Sequence, residues 1–146
     1  MASVTRREAR EQAFALVFEM IFNDAPVEEL IQGAQLCRDL AIDPYAVKAA
    51  SLVREHREEL DGVIDRFSSK WKVNRLPKVA VSILRLAVCE MTYIEGIPVG
   101  AVINEAVELA KKYGGDEDPA YVNGVLGGYA RSREAVPGKG GEPQIG

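Results

Sequence analysis

Three arginines stand within five residues near the N-terminus, Arg6, Arg7 and Arg10, against a single acid, Glu8. Guanidinium groups hold phosphates bidentately and stack on bases. On a helix turning roughly 100° per residue, Arg7 and Arg10 share a strip with Phe14, Phe18 and Ile21, beside an inward face of Ala9, Ala13, Leu16, Val17 and Met20. Arginines leading into aromatic rings suit single-stranded RNA, whose unpaired bases stack on such rings. A plainer role suits the same residues: Phe14 and Phe18 widen the core contact and the arginines are solvated. Cations at a helix N-terminus oppose its dipole, which favours a functional reason for them.

No catalytic set accompanies this strip. His56, the only histidine, sits inside an apolar stripe without a nucleophile or ligand cluster and is expected to be a packing residue. Cys37 and Cys89 each stand alone on apolar stretches, so no zinc spacing exists. Gly114-Gly115 follows no strand and suits a helix C-cap better than a phosphate cradle. The expectation is a protein without catalytic residues, metal or cofactor.

The elements that must position these residues are helices. With 146 residues, 47% hydrophobic and 27% charged, the chain has room for one ordinary domain or two small helical subdomains sharing a core. A net charge of −4 excludes indiscriminate coating of nucleic acid and confines cationic work to a few side chains. The unpaired cysteines, the missing signal region and an apolar run at 79–91 interrupted by Ser82, Arg85 and Glu90 point to the cytoplasm.

Proline sets the helix starts, because a first helical residue can spare its N–H. Pro26, Pro44, Pro77, Pro98 and Pro119 mark five of them, with Asp43 and Asp118 as capping carboxylates; Thr5 and Glu8 form a capping box for the first. Apolar spacing then predicts six helices, at about 5–23, 26–40, 44–70, 77–93, 98–113 and 118–132. The third carries one stripe from Tyr45 to Phe67, and the fourth is apolar around most of its circumference, hence central. Gly124, Gly127 and Gly128 suit either a close helix approach near Gly124 with fraying at Gly127-Gly128, or direct contact with a ligand. Lys70 to Leu76 joins two subdomains, about 5–70 and 76–132, within a domain spanning 1–133, and 134–146 is expected to be a disordered tail.

The segments RREAREQAFALVFEM at 6–20, ILRLAVCEM at 83–91, IPVGAVINEAVELAKKYG at 97–114 and YVNGVLGGYA at 121–130 resemble the NusB family of transcription antitermination factors. The likeness covers most of residues 5–131. It implies an all-α fold of two packed three-helix bundles. It also implies a function: binding the boxA element of nascent ribosomal-RNA leaders with NusE, a small-subunit ribosomal protein, and joining other Nus factors on RNA polymerase. By position in the family motifs, Arg6, Arg7 and Arg10 would contact RNA. Asp118, Tyr121 and Asn123 belong to a second RNA-facing segment, with Lys111 and Lys112 as phosphate contacts. Phe18, Arg85 and Glu90 match the NusE-facing side.

Phe18 stands where the family commonly has tyrosine, and Pro77-Lys78-Val79-Ala80 lacks an acid that some members direct at NusE. Members occur as monomers or homodimers. Two other functions fit the sequence: a purely protein-binding helical adaptor using the Phe14/Phe18 strip, and a stand-alone relative of the RNA-binding domain of ribosomal-RNA cytosine methyltransferases.

Overall fold

A computed structural model describes residues 4–38 and 41–134. The tail expected at 134–146 lies, from residue 135 on, outside the described residues. Among the described residues seven α-helices run in the order α1 (Arg6–Phe22), α2 (Val27–Arg38), α3 (Pro44–Glu55), α4 (Arg57–Phe67), α5 (Lys78–Tyr93), α6 (Val99–Tyr113) and α7 (Asp118–Glu134), with a 3-10 turn at Val73–Arg75.

The starts follow from local chemistry. Thr5 accepts from the Glu8 N–H at 3.1 Å while the Glu8 carboxylate accepts from the Thr5 N–H at 2.9 Å, which closes the capping box. Asp43 caps α3 through the Tyr45 N–H at 2.9 Å, and Pro77 and Pro98 directly precede α5 and α6.

The fold is all-α, with α1–α3 forming one group and α5–α7 a second, against which α4 also packs. Both share one hydrophobic core, and α5 lies at its centre against α1, α3, α4, α6 and α7. Its residues from Ala80 to Glu90 are buried apart from Arg85. Ser82 is satisfied there by donating to the Lys78 carbonyl at 2.9 Å.

The single helix expected at 44–70 is two. His56 adopts φ −110° and ψ 19°, off the helical values, yet its N–H still reaches the Leu52 carbonyl and its carbonyl accepts from the Leu60 N–H. Its ring lies flat on Tyr93, with centroids 4.0 Å apart, as befits a packing residue. The bend directs α4 onto α5 and α7. The glycines of α7 also differ from expectation. A methyl at Gly124 would meet open space, one at Gly128 would stand 3.3 Å from Phe67 Cδ1, and the helix continues to Glu134 without fraying. Close approach therefore occurs one turn later than expected, where α4 crosses α7.

Candidate nucleic-acid interface

The capping box fixes where α1 begins, and α1 presents its first turns to α6 across a groove of about 330 Å³. Arg7 donates from Nε and Nη2 to both oxygens of Glu105, at 3.0 and 2.9 Å. That carboxylate raises the Arg7 pKa above its ordinary value. Lys112 Nζ stands 2.7 Å from a Glu11 oxygen that the Tyr113 hydroxyl also approaches; these two bonds hold the Glu11 carboxyl below the usual carboxylate range. Lys111 faces Glu108 at 3.4 Å. The Lys111 pair is exposed on both sides and contributes little to stability, so a phosphate oxygen can replace its carboxylate at small cost; Arg7 is held bidentately by a carboxylate only 18% exposed and is costlier to draw away. Arg6 is exposed, with its guanidinium 4.0 Å from the centroid of Tyr45.

Tyr113 ends α6, and a short loop leads to the start of α7 at Asp118. Asp118 Oδ2 accepts from the Gly115 N–H at 3.0 Å and so closes the loop after α6. A methyl on Gly114 would lie 2.6 Å from that oxygen and 2.9 Å from the Ala110 carbonyl oxygen. Gly114→Ala is therefore expected to cost about 1–3 kcal/mol through overpacking, measured by urea unfolding, and to free the Asp118 side chain. Tyr121 is half-buried; its hydroxyl pairs with Ser68 Oγ and its ring centroid is 6.0 Å from that of Trp71. Asn123 is exposed nearby on the same helix.

Three expected site residues are buried, and a fourth, Arg85, is half-buried. Arg10 is only 6% exposed and donates from Nε to Glu90, itself 2% exposed, at 2.8 Å. The Tyr45 hydroxyl donates to the same carboxylate. Arg10 is thus no surface cation and Glu90 no partner-facing acid: they neutralise each other between α1 and α5. Phe14 is 6% exposed, stacked on Tyr113 with centroids 5.1 Å apart. Arg85 directs its guanidinium at Asp61, with bonds of 2.7 and 2.9 Å that tie α5 to α4.

Sequence reasoning took Lys70 to Leu76 only as a connection and Lys78 as the start of a helix. The signal was present: Lys70, Lys72, Arg75 and Lys78 surround the chain's one tryptophan, Trp71, with no acid among them. The structure sets this stretch beside Tyr121.

The sequence profile of the NusB family matches residues 7–131. The chain is 44% identical over 133 residues to the transcription antitermination protein NusB of Agathobacter rectalis, covering 87% of this chain and all of that protein. To its counterpart in Bacillus subtilis it is 41% identical over 121 residues, covering 83% and 91%. Among solved structures, NusB of T. maritima superposes with a TM-score of 0.76 at 31% identity, over 90% of this chain and 93% of that one. A structure of antitermination factors NusB and NusE in complex with double-stranded RNA gives a TM-score of 0.77 at 27% identity, over 87% and 96%. A profile match across nearly the whole helical region, together with relatives of this identity and coverage, establishes that the chain belongs to the NusB family.

Proposed function

We propose that this chain is a non-enzymatic transcription antitermination factor that binds boxA-type single-stranded RNA of nascent ribosomal-RNA leaders together with NusE. It then joins other Nus factors on RNA polymerase in the cytoplasm. The observation that carries this reading, beside family membership, is the groove between α1 and α6. Its exposed cations, Arg7, Lys111 and Lys112, stand together on one groove, paired with Glu105, Glu108 and Glu11. Arg6, Arg7, Lys111 and Lys112 take phosphates, while Tyr121 and Asn123 face bases. Asp118 acts by shaping the loop. Residues 1–133 work as one RNA-binding domain.

NusE docks beside the RNA at the apolar end of α1, where Phe18 is half-buried and Phe22 is 65% exposed. In the absence of NusE, a second copy of the chain covers the same end. Sedimentation with and without NusE tests that exchange.

The RNA test is titration of leader RNA at two salt concentrations, with and without NusE. Arg7→Ala combined with Lys112→Ala is expected to weaken binding about tenfold. The salt slope should fall by about 1.4, since each phosphate neutralised on a single strand adds about 0.7 to it. Unchanged affinity with an intact helical spectrum overturns the reading. A NusE complex indifferent to both RNA and salt supports the protein-adaptor function instead.

A further inference from the structure

The cations named so far in the groove beside α6 already hold carboxylates. Among the described residues, Lys70, Lys72, Arg75 and Lys78 make no ion pair. They share one stretch without an acid, and Trp71 within it is 43% exposed, a costly position for the largest aromatic side chain. Between this stretch and the start of α7 lies a groove of about 840 Å³, a size typical of ligand sites. Lys70, Trp71 and Arg75 form one wall; Asp116, Glu117 and Tyr121 form the other, with Asp118, whose Oδ2 is taken by the Gly115 N–H. The Lys70 ammonium sits 5.1 Å from the Trp71 ring centroid.

We infer that this groove is a second RNA subsite, taking a nucleotide or two of the strand that reaches Tyr121; the inference rests on the RNA-binding function proposed above. The two walls ask for a ligand with anions on one side and hydrogen-bond donors on the other. An acidic peptide offers anions along its whole length and meets Asp116 and Glu117 with repulsion. An unpaired nucleotide offers both: its phosphate turns to Lys70 and Arg75, its base stacks on the open face of Trp71, and the amino and imino donors of the base edge turn to the carboxylates. Those carboxylates also disfavour polyanions that present no base edge. Tyr121 lines this groove itself, with its ring centroid 6.0 Å from that of Trp71, so a strand that reaches Tyr121 meets Trp71 next.

Trp71 is the only tryptophan, so its emission reports on this groove alone. The test titrates the full chain with end-labelled single-stranded RNA carrying boxA at low salt, reading RNA anisotropy and tryptophan emission together. Emission is expected to be quenched over the concentration range in which anisotropy rises. Lys70→Ala plus Arg75→Ala is expected to weaken binding about tenfold and lower the salt slope by about 1.4. Trp71→Ala should weaken it by about tenfold, with Trp71→Phe recovering part of that loss. These side chains are exposed, so circular dichroism should show an unchanged fold. If RNA binds but emission is unchanged, or the double variant binds normally, the subsite is overturned. Quenching by NusE in place of RNA overturns it in favour of a protein contact. A wild-type chain that leaves anisotropy flat both alone and with NusE present removes the RNA function itself, and the subsite with it.

Discussion

Glu90→Ala is expected to destabilise the chain by about 3–5 kcal/mol, because it strands a buried guanidinium. Arg10 has no water to turn to, and its Nε bond to Glu90 is the contact that neutralises it. The Tyr45 hydroxyl loses its acceptor in the same step. Urea unfolding followed by circular dichroism measures the loss. Replacing the pair together, Arg10→Met with Glu90→Leu, should cost far less than Glu90→Ala, since desolvating two charges offsets most of what their attraction returns. A Glu90→Ala variant as stable as the parent would mean that Arg10 escapes to solvent and is available to RNA after all.

The same triad makes stability fall at high pH. Burial, and then the bond to Glu90, push the Tyr45 hydroxyl pKa above its ordinary value. The unfolded chain releases that proton near pH 10 while the folded chain keeps it, so unfolding is increasingly favoured as pH rises. The contribution is complete below about pH 10 and is lost as pH rises through the folded pKa. Repeating the urea titrations with Tyr45→Phe should flatten that alkaline decline.

How much of this was legible in the sequence depended on distance along the chain. Helix starts were legible because their causes lie within three residues: Thr5 with Glu8, Asp43 with Tyr45, and the prolines. The bend at His56 was hidden because one residue leaving helical geometry does not disturb an apolar stripe continuing on both sides. Arg7 and Arg10 look alike in sequence, three residues apart on one strip. What separates them is that α5 brings Glu90, eighty positions away, to Arg10, whereas Arg7 faces Glu105 at the surface. The same holds for the glycines of α7: only the path of α4 decides that a side chain at Gly128 would press on Phe67 while one at Gly124 would meet open space. The cationic stretch around Trp71 was readable as composition, but its place beside Tyr121 was not, since fifty residues separate the two rings.

Phe14→Ala is expected to cost about 3–5 kcal/mol, the usual range for emptying a buried phenylalanine site, and so to behave as a core change. Its ring fills the space under Tyr113, and Tyr113 in turn reaches Glu11, the carboxylate that holds Lys112. Losing the ring should therefore also loosen the groove between α1 and α6 and weaken RNA binding indirectly. Phe22→Ala should change stability by no more than about 0.5 kcal/mol, as is usual for exposed positions, because Phe22 touches the rest of the strip mainly through an edge contact with Phe18 at 5.3 Å. Thermal and urea unfolding of both variants, beside their binding to NusE, separates the two halves of the strip. If Phe14→Ala loses NusE binding while remaining as stable as the parent, Phe14 belongs to the partner surface. If Phe22→Ala loses NusE binding at unchanged stability while Phe14→Ala is broadly destabilised, the partner meets only the far end of α1, and the aromatic strip is core at Phe14 and interface at Phe22.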